Sequence, residues 1–370
     1  MTSNDWRLAR FAFVYFNAQT IIYLIPELAS SSNYQGIAGI LAGSLLSLAV
    51  LFFVVYIGRL QPNASWVNFG KRILGKGLHS AILFLLLIWS VYYASYDIQS
   101  FVLFFGANYM QGTPPWFLQL IIAIVVMYAV RLGIRTIVYM SDGIFLLTFS
   151  VMLFVFYSYG EKANMQMIPA LFHYFDVPTF VENTLATFSV VTEWVVFLFI
   201  SPEFKFGKGT FNKLAITAAG VCLSVLVAWG FTILNFSPHF ARQFQYPFLE
   251  FIRSRVNEGF LESMAPFMIG LWTASMFIHC SLLIYAATKC MSYFTKGKGE
   301  KMIIPILSLL SAGIAFYYAY HVYVYHEHYF SFTAVLIWVF VELIPVLYGV
   351  VAMLRYGSSK GFNKSSQSSR

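Results

Sequence analysis

The chain has 370 residues, of which 59% are hydrophobic, 19% aromatic and 10% charged, with a formal net charge of +8. Soluble domains carry about a quarter charged residues, so this composition excludes an ordinary soluble fold and predicts a polytopic protein of the lipid bilayer. The basic excess reads as a topology signal rather than a nucleic-acid footprint, and Cys222, Cys280 and Cys290 show neither disulfide nor zinc spacing.

About 20 apolar residues cross a hydrocarbon layer of roughly 30 Å. The first such run, 11–29, follows Arg7 and Arg10 and carries the polar stretch NAQT, Asn17 to Thr20, midway along it. Residues 7–32 also have the outline of a cleavable leader, but its removal would leave an odd number of spans, against the charge pattern below. The second run is 36–58. It leads into the basic loop WVNFGKRILGKGLH, Trp66 to His79, expected to be an interfacial helix on the cytoplasmic side. The third run, 78–106, is longer than a bilayer needs and holds Tyr96 and Asp97 toward its outer half. The fourth and fifth runs are 116–130 and 139–159.

The sixth run, 182–201, contains SVVTE, Ser189 to Glu193, and so places a carboxylate inside an apolar segment. An ionised carboxylate there costs several kcal/mol unless a partner or a proton answers it. Glu193 is therefore either a hydrogen-bonded bridge between helices or a group that meets a ligand ammonium or a coupling proton. After the seventh run, 213–236, Leu249, Ile252, Val256 and Phe260 repeat at helical spacing in Pro247 to Glu262, which predicts an amphipathic helix on the outer surface. The eighth run, 264–294, is again overlong and contains His279, either a packed hydrogen-bonding group or a relay. The ninth is 303–322. In the next segment, Tyr320 to Phe330, His326 and His328 fit one face of an extended loop beside Glu327, with His321 earlier; this falls short of a metal-ligand set, and no metal is expected. The tenth run, 331–354, contains Glu342 ahead of Pro345, a helix break. Residues 357–370 read as a disordered cytoplasmic tail after a single transmembrane domain, 1–356.

With the N-terminus inside, 19 of the 23 Lys and Arg residues face the cytoplasm and four, Lys162, Arg242, Arg253 and Arg255, face out. Both termini are then cytoplasmic. Ten spans divide five and five, and an odd number per half inverts the second half relative to the first. The predicted fold is all-α and LeuT-like, an inverted repeat over about 11–159 and 182–354 with helices 1 and 6 broken near the midplane. The breaks are expected at Asn17, Ala18, Gln19 and Thr20, and at Ser189, Val191, Thr192 and Glu193. With Tyr96, Asp97 and His279 these form the candidate ligand-binding set. Asp97 has two further readings, an outer gate paired with Arg253 or Arg255 and a carboxylate reached by water. No nucleophile elbow, phosphate loop or metal motif is present, so neither catalysis nor a cofactor is expected.

Several stretches in order resemble one family: YLIPELA in the first span, ASYDIQS around Asp97, TPP at Thr113 to Pro115, and YAVRLGIRTIVYMSD at Tyr128 to Asp142. The Glu193 span and YPFLEFIRSRVNEGFLESMAPFMIGLW at Tyr246 to Trp272 complete the set. The chain resembles the B subunit of bacterial spore germinant receptors, in the amino acid/polyamine/organocation transporter superfamily, over essentially its full length. It departs where the family usually has glycines in the first-helix break (Asn17, Ala18 and Gln19 here) and before the sixth-helix glutamate (Thr192). It also lacks two usual arginines, at Ser263 and Tyr139. The resemblance implies a subunit of the spore inner membrane that senses a small nutrient, an amino acid being the expected class, beside a receptor A subunit and a lipoprotein C subunit, with no nucleic-acid partner. A proton-coupled amino-acid permease and a structural or channel-forming subunit are the alternatives.

Overall fold

The computed structural model describes residues 2–160, 165–173, 175–254, 264–329 and 331–356. Among them are ten helices long and apolar enough to cross a membrane, Asn4–Ser31, Gly36–Leu60, Lys76–Asn108, Pro115–Leu132, Ile134–Tyr157, Val177–Phe199, Thr210–Ala241, Pro266–Phe294, Glu300–Tyr320 and Thr333–Tyr356, and they are named here first to tenth span. No strand occurs among the described residues. Lipid offers no partners to a bare backbone, so a helix, which satisfies its own N–H and C=O groups, is what apolar runs of this length form. The predicted spans are all present, most of them extended by a few residues. The third span, 33 residues, is about 50 Å long at 1.5 Å per residue. The tail and the 255–262 part of the outer amphipathic segment lie outside the described residues.

The first span is almost wholly enclosed, with 89% of its most apolar stretch buried, whereas the fifth is 22% buried. The first is therefore the axis of the bundle and the fifth part of its wall. Three breaks matter for the site. In the first span the helix widens to a π-helical turn over Thr20–Leu24 before resuming at Ile25–Ser31, slightly later than the expected Asn17 to Thr20. In the sixth span the α-helix stops at Val191, Thr192 leaves helical geometry with φ −113° and ψ 8°, and a tighter 3-10 helix runs Glu193–Phe199. The tenth span breaks at Leu343, between Glu342 and Pro345, as the proline predicts.

The second and sixth spans touch closely. Gly39 and Gly43, one turn apart, face Asn183 and Thr187, and a β-carbon added at Gly43 would lie 2.7 Å from Thr187 Cβ. Small residues at this spacing let two membrane helices approach backbone to backbone. The contact holds the break as well: Trp194 Nε1 donates to Ser47 Oγ at 2.8 Å, and Ser47 Oγ donates to the Val191 carbonyl at 2.8 Å. At the start of the sixth span Asp176 accepts from Thr179 N at 3.0 Å and Thr179 Oγ1 at 2.8 Å. These bonds hold its carboxyl below the usual aspartate range.

The loop expected as one interfacial helix over 66–79 is two short turns, Trp66–Phe69 and Lys71–Leu74, and the third span already starts at Lys76 after Gly75 at φ 85°. Trp66 is fully buried against Phe199, Tyr348 and His79. His79 bridges the Val67 carbonyl (2.8 Å) and the Tyr348 hydroxyl (2.6 Å). The segment after the ninth span is also corrected: Val322–Tyr329 is helical, not extended, and alternate residues of a helix do not share a face. Arg7 and Arg10 at the start of the first span pair with Asp142 of the fifth at 2.9 and 2.8 Å.

Candidate functional site

Helical periodicity divides the first-span residues. Positions 15 and 19 lie on one face and positions 17 and 20 on the opposite one, and the two faces meet different surroundings.

On the first face is a buried chain of ionisable groups. Tyr15 donates to Glu193 Oε2 at 2.7 Å, His279 Nε2 lies 2.7 Å from the same oxygen, and His279 Nδ1 lies 2.6 Å from Asp97 Oδ2. Gln19 Nε2 donates to Asp97 Oδ1 at 2.9 Å. The Tyr15 ring stacks on His279, centroids 4.4 Å apart, and Tyr93 packs edge-on against it at 5.2 Å. Asp97, Glu193 and His279 are buried to 2%, 0% and 0% exposure. The first, third, sixth and eighth spans thus meet at one imidazole. Each of its ring nitrogens faces a carboxylate, and each contact needs a shared proton, so three groups hold at least two protons between them. Glu193 Oε1 has no hydrogen-bond partner.

On the opposite face, Asn17 and Thr20 line a narrow apolar cavity. Its walls are Val151, Met152 and Val155 of the fifth span, Val225 and Ala228 of the seventh, and Ile269 and Trp272 of the eighth. Its roof is the described part of the outer amphipathic helix, Pro247–Ser254, through Phe248, Leu249 and Ile252. Phe104 closes the side against Trp272 and Tyr246, at 4.8 and 5.3 Å between centroids. Thr148 Oγ1 also lines the cavity and has no hydrogen-bond partner. Arg253 clamps the roof, bonding Asn108 Oδ1 at 3.1 Å, Tyr109 OH at 3.1 Å and Glu250 at 2.9 Å. It does not pair with Asp97, which corrects that expectation; Arg255 lies outside the described residues.

The other expected site residues separate as follows. Ala18 packs in the core. Ser189 donates to its own helix at the Ala186 carbonyl, 2.9 Å. Val191 contributes the carbonyl bonded to Ser47, and the Thr192 hydroxyl is buried without a partner. Tyr96 turns away from Asp97 into a phenolic cluster, with its hydroxyl 3.2 Å from Tyr92 OH and its ring stacked on Tyr325. Sequence reasoning missed Tyr15, although one helical turn before Gln19 is where a partner belongs, and Thr148, a lone hydroxyl in an apolar run.

Comparison with known proteins agrees with this architecture. The profile of the spore germination protein family matches residues 11–324. The chain belongs to that family. A curated member, spore germination protein XB of Bacillus anthracis, is 24% identical over 298 residues, 77% of this chain and 79% of the relative. Among solved structures, Mhp1, a nucleobase-cation-symport-1 family transporter in a closed conformation with bromovinylhydantoin bound, superposes with a TM-score of 0.61. Identity is 13%, covering 84% of this chain and 71% of that one. A Na+-coupled sialic acid symporter in a substrate-bound, outward-open state gives 0.64 at 14% identity, covering 95% and 78%. The spore germination chain therefore has a LeuT-like transporter fold, five spans in each inverted half, with the broken first and sixth spans at its centre.

Proposed function

We propose that this spore germination protein is the membrane-embedded sensing subunit of a nutrient-germinant receptor in the spore inner membrane. Its ligand is a small nutrient with an apolar body, an amino acid being the class. The observation that carries this reading is the two-faced turn of the first span: Asn17 and Thr20 open on a roofed apolar cavity, while Tyr15 and Gln19 hold the Asp97–His279–Glu193 chain.

A ligand in the cavity offers its apolar part to Val151, Val225 and Trp272 and its polar end to Asn17, Thr20 and Thr148, which carry no net charge. A ligand that displaces the turn over Thr20–Leu24 moves Tyr15 and Gln19 with it, because helix residues one turn apart shift together. The carboxylate chain then loses or exchanges donors, and the third, sixth and eighth spans reorient. In a receptor, the A and lipoprotein C subunits read this rearrangement. In this reading Glu193 acts through the network rather than by lining the cavity.

Two variants test it in spores, each compared with wild type at equal membrane level. Glu193→Gln keeps shape and removes the titratable charge, and is expected to need about ten-fold more nutrient with an altered pH dependence. Asn17→Ala is expected to raise the required concentration and shift which nutrients work. An unchanged dose response and pH profile for Glu193→Gln would reduce the chain to a structural bridge. A permease remains the second reading, favoured by the transporter neighbours. Counterflow in proteoliposomes separates the two, since a sensor gives no exchange of labelled amino acid.

A further inference from the structure

The second and seventh spans pack together, and where the second ends and the seventh begins a cleft of about 620 Å³ opens. It shares no lining residue with the cavity under the outer helix. On one wall are Phe52, Val55, Tyr56 and Arg59 of the second span, which recur at i, i+3, i+4 and i+7 and so form one stripe of the helix. The opposite wall is the segment entering the seventh span, with Phe206, Lys208, Phe211 and Asn212. Phe206 is 3% exposed and presses so closely on the second span that a β-carbon at Gly58 would lie 2.1 Å from its ring. Phe211 meets Phe52 edge-on, with centroids 6.1 Å apart. Thr210 ties the segment down, its Oγ1 accepting from Gly207 N at 2.8 Å and donating to Asp5 Oδ1 at 2.6 Å. Both walls are thus fixed by packing.

The chemistry of the stripe changes along its length. Phe52 is 47% exposed on a membrane-spanning helix, while Arg59 lies in the last turn of that helix, about 10 Å further along the axis. The helix Gly36–Leu60 has 25 residues, about 37 Å, so its end reaches the headgroup level of a bilayer whose hydrocarbon core is roughly 30 Å thick. Arg59 and Lys208 are both exposed, and among the described residues neither has a carboxylate partner. No acidic residue is among those lining the cleft, and Asp5, behind Gly207, is engaged by Thr210. The seventh-span helix starts at Thr210 after Gly209, which has no side chain to cap it, so the positive end of its dipole adds to the two cations. Tyr56 contributes a hydroxyl that is buried without a hydrogen-bond partner. A soluble anion would use the cations and leave the aromatic stretch idle. A phospholipid uses both.

We propose that this cleft holds one anionic phospholipid of the bilayer, with its phosphate between Arg59 and Lys208 and the upper part of an acyl chain along Phe52, Val55 and Phe211. The lipid joins the second span to the entry of the seventh. Its binding is independent of the nutrient reading, because no residue of the first-span cavity takes part.

The test is native mass spectrometry of the purified full chain in detergent, titrated with phosphatidylglycerol, with phosphatidylcholine of the same acyl chains, and with inorganic phosphate. One phosphatidylglycerol per chain is expected to be retained. Phosphatidylcholine, whose choline cancels the headgroup charge, should bind about five-fold more weakly, and inorganic phosphate should not displace the lipid. Arg59→Gln and Lys208→Gln should each weaken retention by about five-fold, whereas Lys298→Gln, an exposed lysine outside the cleft, should leave it unchanged. Tyr56→Phe keeps every charge and should still weaken retention, by about ten-fold, which a diffuse attraction between a basic surface and anionic lipid would not produce. This variant decides the matter if a charge variant fails to fold. Equal retention of the two lipids overturns the proposal, as does an equal loss in Lys298→Gln or wild-type retention in Tyr56→Phe. Displacement by inorganic phosphate also overturns it, by making a soluble anion the occupant.

Discussion

His279 shows how a single side chain can organise a membrane core. Removing one partner of a buried ion pair leaves the other charge stranded, which is more damaging than replacing the pair. His279→Ala strands both Asp97 and Glu193 and is expected to destabilise the protein by about 3–5 kcal/mol, read as a fall in Tm in detergent or nanodiscs. Tyr15→Phe removes one donor from Glu193 and keeps the ring stack on His279, so the expected loss is smaller, about 1–3 kcal/mol. The residues of this network were partly legible in the sequence. Glu193, Asp97 and His279 are conspicuous as polar groups in apolar runs, and that signal is physical. Their mutual contact was not legible, because it depends on how four helices rotate about their axes. The same rotation separates Asn17 and Thr20 from Gln19, although the three lie within one turn of chain.

At the scale of elements, two helix contacts make checkable claims. Gly43 faces Thr187 with no room for a β-carbon, so Gly43→Leu must part the second and sixth spans. The expected cost is about 1–3 kcal/mol, with lower membrane levels and a lower Tm, whereas Gly143→Leu in the open fifth span is the control expected to change neither. The outer helix makes the other claim. Ile252 is fully buried in the roof of the cavity, and Ile252→Asp is expected to loosen the roof and change the nutrient response while the ten spans still insert. Loss of the protein from the membrane fraction would instead make that helix part of the folding core. Hydropathy located the spans because lipid imposes length and apolarity on them. It did not locate the π-helical turn at Thr20–Leu24, since the NAQT stretch is polar without being the point where the backbone widens. Nor did it reveal that the Trp66–Leu74 loop is pinned inward, because a tryptophan suits the interface and the interior equally well.

For the whole molecule, the uneven distribution of Lys and Arg makes the orientation testable. Cysteines placed at Lys76 and Lys298 should react with impermeant reagents only from the cytoplasmic side, and those at Lys162 and Arg255, outside the described residues, only from the outer side. Outer labelling at Lys76 would invert the arrangement. Orientation decides what the Asp97–His279–Glu193 chain can mean in operation. Because one imidazole joins the third, sixth and eighth spans to the first, any relative movement of these helices must break at least one bond between groups that have no water to fall back on. Partly opened arrangements each leave a stranded carboxylate, so they lie above both the closed state and the fully rearranged one. In the proposed sensing role, a core clasped in this way acts as a switch with a threshold: it ignores small, brief excursions in its stimulus, and once past the barrier it completes the change.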